Sequence, residues 1–188
     1  MVDTGVGTGN QFIEELYSPQ TVALDHALHD VGVDERDIVG VVNTHLHFDH
    51  CGQNAVLPRV PAWVQDAETQ AAAATAYTVP EWADLASERL TRVDGDIEIA
   101  PGVTLLATPG HTPGHQSVLV ESPQGRRSLI VGQCSYNCAE YRLGEVVPTD
   151  MHDAEWLEPG RESLTRLRSL DVDEAWFSHD PTVYRRKS

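Results

Sequence analysis

Between Pro19 and Gly32 the apolar residues Val22, Leu24, Ala27, Leu28 and Val31 recur at helical spacing. Ser18-Pro19 ahead of them predicts an N-cap followed by proline at the first helical position, and Gly32 predicts the C-terminal stop. Asp34 to Asp37 reads as a turn. Ile38 to Val42 reads as a buried strand that runs straight into Thr44-His45-Leu46-His47-Phe48-Asp49-His50. Pro61 to Gln65 predicts a short strand, Asp66 the cap of an alanine-rich helix, and Glu81 to Leu90 a second helix. Four strands separated by Gly/Pro turns are then expected at Ile97 to Ile99, Val103 to Ala107, Gln116 to Glu121 and Ser128 to Val131. Glu162 to Leu170 predicts an amphipathic helix, and Glu174 to Phe177 a final strand ending at Ser178-His179-Asp180. Helices and strands are mixed throughout, which gives an α/β (α+β) class.

The length of 188 residues fits a single domain, 1–188, large enough to bury a core. Hydrophobic residues at 40% and charged residues at 22% are ordinary for a globular chain and argue against disorder. No apolar run reaches the ~18–20 residues that a membrane span needs, so no membrane partner is expected. Thirteen basic against 29 acidic residues give a net charge of −16. That charge repels phosphate backbones and excludes nucleic acid as an expected partner. Three cysteines, an odd number, fit a reducing, cytoplasmic setting better than a disulfide framework.

Six of the nine histidines follow predicted strands at three places. In an extended segment residues two apart point the same way, so His45 and His47 can face one point while Asp49 and His50, past the turn, face a neighbouring one. Imidazole and carboxylate are ligands of borderline cations, zinc above all. The second place is Thr108-Pro109-Gly110-His111-Thr112-Pro113-Gly114-His115, a rigid loop by its doubled Pro-Gly. The third is His179. His26 and His29, one turn apart on the first helix, read as a surface pair. His152 reads as a loop residue and His115 as a structural or ligand-orienting group.

These residues resemble the metallo-β-lactamase superfamily, whose signature is the His-x-His-x-Asp-His run at 45–50, Pro-Gly-His at 109–111 and a late strand-end histidine. Asp3-Thr4-Gly5 resembles the family's early turn. Phe48, Gln116, Ser135-Tyr136 and Phe177-Ser178-His179-Asp180 are similar to the N-acyl-homoserine lactonase branch. The resemblance implies an αβ/βα sandwich with two zinc ions, one held by His45, His47 and His111, the other by Asp49, His50 and His179. It also implies a small lactone or ester substrate, of the quorum-quenching acyl-homoserine lactone kind, opened by metal-bound hydroxide. Tyr136 would then donate a hydrogen bond to the oxyanion, and Asp49 would pass a proton to the leaving alkoxide.

Two departures stand beside the resemblance. The family's metal-bridging aspartate falls at Gln133, whose neutral amide weakens one of the two zinc sites. Cys134 is next door and could enter as a thiolate after a one-residue shift, although strand alternation favours Gln133 as the inward residue. The chain also starts at the Asp-Thr-Gly turn, where the family has several strands ahead of it. That implies an N-terminally truncated sandwich or a start set too far downstream, and in the first case a sheet edge covered by homodimerisation. The competing readings are a glyoxalase II-like thioester hydrolase, which shares the histidine motifs, and a degenerate member without catalysis.

Overall fold

The computed structural model describes residues 1–74, 77–84, 88–147 and 154–186. The chain forms two compact units, one of Met1–Val64 and Thr69–Arg92, the other of Gln65–Glu68 and Val93–Ser188.

The first unit begins with α1, Gln11–Tyr17, and α2, Leu24–Asp30. The sequence reading misplaced the start of this region. Asn10, not Ser18, is the side-chain cap, accepting the Ile13 N–H, while Ser18 closes α1 in the left-handed conformation at φ 45°. A proline just past a C-cap stops a helix, so Ser18-Pro19 marks an end rather than a beginning. α2 starts only at Leu24, has no side-chain cap, and is stopped after Asp30 by Gly32, in the left-handed conformation at φ 74°. Its His26 and His29 are exposed.

The predicted strand 38–42 contracts to β1, Val41–Val42. After the short α3, Phe48–Cys51, comes β2, Ala62–Gln65, which pairs in parallel with β1. α4, Asp66–Ala71, follows it directly. The helix expected over Glu81 to Leu90 is only α5, Pro80–Ala83, because Leu90 already opens β3, Leu90–Val93; positions 85–87 lie outside the described residues. The sheet order is β1-β2-β3. Leu24, Leu28, Val41, Leu46, Leu57 and Val64 fill its core.

The second unit is a six-stranded sheet. Its strands are β4, Ile97–Ala100; β5, Val103–Ala107; β6, Gln116–Glu121; β7, Arg127–Gly132; β8, Glu174–Phe177; and β9, Asp180–Arg185, hydrogen-bonded in that order. Only β7 and β8 run parallel. That crossover carries α6, Cys138–Leu143, and α7, Leu157–Ser169. Neither β9 nor α6 was foreseen, although Asn137 caps α6 at the Glu140 N–H and Gly144 ends it. The predicted helix 162–170 begins a turn and a half earlier, with Pro159 in its first turn, where a missing N–H costs nothing. Leu164 and Leu167 of α7 bury against Leu129, Val131, Val172, Ala175 and Phe177. No helix among the described residues is long and apolar enough to cross a membrane.

Leu129 is fully buried at the centre of this second core. Leu129→Ala is expected to lower unfolding stability by about 2–5 kcal/mol, read as a fall in denaturant midpoint at unchanged slope.

Candidate metal centre

In the first unit, β1 delivers the histidine run and α3 turns it. Buried imidazoles require partners for their ring nitrogens, and Asp3 supplies most of the scaffolding. Its carboxylate accepts the Thr44 N–H at 2.7 Å and the Thr44 hydroxyl at 2.8 Å, and lies 2.8 Å from His50 Nδ1. Because the Thr44 O–H is spent on Asp3, its oxygen acts as acceptor for His45 Nδ1, 3.0 Å away. The His45 proton is therefore assigned to Nδ1, and Nε2 carries the lone pair, 3.0 Å from His47 Nδ1. This is the tautomer a metal ligand needs, oriented by an outer hydrogen bond.

His50 follows the same logic, with Nδ1 toward Asp3 and Nε2 3.4 Å from Asp49 Oδ2. Burial opposes charge on His50, but Asp3 and Asp49 outweigh it and push the imidazole up to about 10. Two carboxylates around one buried ring therefore make a place that favours an added positive charge. Burial instead holds His47 down at about 4, against the pull of Asp49, so its ring is neutral and able to ligate. The rings of His45 and His50 lie 4.0 Å apart and those of His45 and His47 4.6 Å. The run was read from its spacing, and the structure brings the rings of His45, His47 and His50 together. The anchoring role of Asp3, by contrast, was not read; its signal was only the early Asp-Thr-Gly turn.

In the second unit the Pro-Gly-His loop is held from three sides. Glu68, fully buried, accepts the Thr112 hydroxyl at 2.6 Å and the Gly114 N–H at 3.2 Å. Ser163 of α7 donates to the Pro109 carbonyl at 2.7 Å. Gly110, at φ 150°, lies so close to Gly160 of α7 that any Cβ there would collide with its backbone. The third hold is His115. Its Nε2 accepts the Gln133 N–H at 2.9 Å, which leaves Nδ1–H to meet Thr108, 2.8 Å from Oγ1. His115 is therefore structural, and it fixes Gln133.

The loop presents buried His111, whose Nδ1 lies 3.2 Å from the Tyr136 hydroxyl. The Tyr136 ring in turn stacks on exposed His179 at 6.0 Å. Three residues far apart in sequence and all predicted as functional are thereby neighbours. Asp180 stabilises this corner: its carboxylate accepts the N–H groups of Cys138 and Thr182, which hold it below the usual aspartate range.

Gln133 and Cys134 separate cleanly. A register irregularity between Ile130 and Gly132, with Gly132 at φ 65°, ends β7 and buries both residues that follow. Cys134 sits among apolar side chains, and burial pushes its thiol up to about 12, far from a ligating thiolate. The amide Oε1 of Gln133 is buried and accepts no hydrogen bond from the described residues. A neutral oxygen left so is an unmet acceptor that a cation would satisfy. Cys51 and Cys138 are free, buried thiols, as read. Gln116 is fully buried and receives the Gln65 amide at 3.0 Å, a tie within the second unit. Phe48 packs on Tyr17, ring centroids 4.8 Å apart. His152 lies outside the described residues.

Imidazole, carboxylate and amide donors, with lone pairs set by outer partners, fit a borderline metal ion. Residues 1–179 match the metallo-beta-lactamase superfamily. The chain belongs to that superfamily. It is a metal-dependent hydrolase with the family's mixed α/β fold. It is 33% identical to an N-acyl homoserine lactonase of a Bacillus species, over 96% of this chain and 76% of that protein. It is 31% identical to the N-acyl homoserine lactonase AiiA of Bacillus thuringiensis subsp. kurstaki, again over 96% and 76%. Among solved structures it superposes at TM-score 0.76 and 29% identity on an N-acyl homoserine lactone hydrolase with N-hexanoyl-L-homoserine at its catalytic metal centre, covering 96% of this chain and 76% of that one.

Replacing Glu68 by leucine removes the acceptor shared by Thr112 and Gly114 and leaves two buried donors unmet. Glu68→Leu is expected to cost roughly 2–4 kcal/mol and to speed protease cleavage within residues 108–115, read by denaturation and limited proteolysis.

Proposed function

We propose that the protein opens the ring of N-acyl-homoserine lactones; His45, His47 and His111 would hold one zinc ion and Asp49, His50 and His179 a second, and Gln133 would offer a neutral oxygen donor. What carries the reading is the meeting of His111, Tyr136 and His179 around one phenol, in a chain whose relatives are lactonases over nearly its whole length. Bound zinc supplies Lewis acidity, polarising the carbonyl and making water nucleophilic near neutral pH.

The chain's own groups do the rest. The Tyr136 hydroxyl, aligned by His111, donates to the carbonyl oxygen as negative charge builds on it, a contact worth more in the transition state than in the ground state. Asp49, about a third exposed, carries the water's proton to the ring oxygen as the acyl C–O bond breaks. The product is the open N-acyl-homoserine, with the carboxylate on the former carbonyl carbon. Three free, buried thiols support a reducing cytoplasmic setting.

Hydrolysis of hexanoyl-homoserine lactone and of a glutathione thioester by the same preparation separates the two enzyme readings. The lactone is expected to show the higher kcat/KM; thioester preference would overturn the proposal. Tyr136→Phe is expected to lower lactone kcat by roughly 100-fold with metal content unchanged, and an unchanged kcat would remove Tyr136 from the chemistry.

A further inference from the structure

The second unit also contains a cavity of about 570 Å³, within the size range of small-molecule sites. Tyr141, Arg142, Arg168, Asp171, Tyr184 and Arg186 line it, and none of them belongs to the centre described above. In a chain of net charge −16, three arginines against one aspartate make this lining a local exception.

The arginines differ in what they face. Arg36, Arg126, Arg127, Arg161 and Arg166 each pair with a carboxylate. Arg186 does so with Asp171 and Asp173, which leaves Asp171 neutralised at the rim. Arg142 and Arg168 face no carboxylate among the described residues, yet both are held. Arg168 donates to the Arg142 carbonyl at 2.9 Å and lies over Gly144, where any Cβ would collide with its guanidinium. Arg142 sits over the Tyr184 ring, 5.4 Å from its centroid, and its Nε donates to Cys138 Sγ at 3.2 Å. Tyr184 in turn packs against buried Tyr141, 5.2 Å away.

We propose that this cavity binds a small phosphate-bearing molecule. Two uncompensated guanidinium forks match a dianion with several acceptor oxygens, whereas a single carboxylate would leave one fork unmet. The hydroxyls of Thr165 and Ser169, also in the lining, offer further donors to phosphate oxygens. Packing against Gly144 and Tyr184 fixes both forks beforehand, which reduces the ordering cost of binding. The proposal uses none of the lactonase residues and stands or falls apart from that reading.

Titration calorimetry of the full chain with inorganic phosphate and with adenosine 5′-monophosphate, at fixed ionic strength, tests it. Saturable binding of at least one probe is expected, weakened about tenfold or more by Arg168→Gln and by Arg142→Gln. Arg161→Gln, on the same helix but outside the cavity, should bind as wild type does, and all three variants should keep wild-type lactone turnover. Equal affinity for the two probes would mean that phosphate alone is recognised; tighter binding of the nucleotide would mean that the cavity also takes the body of the ligand. Both support the site. Absence of saturable binding to wild type overturns it. Binding untouched by both arginine substitutions also overturns it, since the anion would then sit elsewhere, for instance at the metal centre. Should Arg168→Gln unfold the protein, Arg142→Gln, at an exposed position, carries the comparison.

Discussion

Burying imidazoles at a strand end has a desolvation cost, and in the first unit one carboxylate does most to offset it. Asp3 takes the Thr44 N–H, the Thr44 hydroxyl and His50 Nδ1 together. Each bond has a consequence one step further in. The hydroxyl spent on Asp3 fixes the tautomer of His45; the ring nitrogen spent on Asp3 turns the other nitrogen of His50 toward Asp49. A short carboxylate thereby sets which nitrogen of His45 has a lone pair to give and which nitrogen of His50 faces Asp49, the orientation on which metal binding rests.

The second unit solves the same problem differently. Its loop gives one buried histidine, His111, and is fixed by a carboxylate from α4, a hydroxyl from α7 and the ring of His115. His115 reaches past its own loop to the Gln133 N–H, so the loop and the end of β7 form one rigid piece. Gln133 therefore holds its place although its side-chain oxygen gains nothing from the described residues around it. An amide in that place carries one charge less than a carboxylate.

How much of this was legible in the sequence follows from how local each signal is. β5 and β6 were read to the residue because Val- and Leu-rich runs between Gly/Pro turns leave little choice, and β8 because its apolar Ala-Trp-Phe run stops short at Ser178-His179-Asp180. Ser18-Pro19 was read backwards because the same dipeptide can open or close a helix, and only the left-handed φ of Ser18 decides. The histidine run was read from its spacing after a strand, whereas the roles of His111, Tyr136 and His179 came from motif likeness, and geometry makes neighbours of the residues within each unit. Glu68 was invisible: a glutamate in an alanine-rich helix looks solvated, and its partners lie more than forty positions away. Cys134 was kept as a candidate ligand because alternation alone is a weak guide past a strand end; burial in an apolar cluster answers that question.

The central claim is that nitrogen and oxygen donors, with no thiolate, hold a metal ion in this chain. X-ray absorption at the metal edge, on protein purified without chelator or added metal, tests it most directly. The expected result is bound metal with a first coordination shell of nitrogen and oxygen only, at about 2.0–2.2 Å. A sulfur shell at about 2.3 Å, or a chain that takes up no metal even when zinc is supplied, would contradict it.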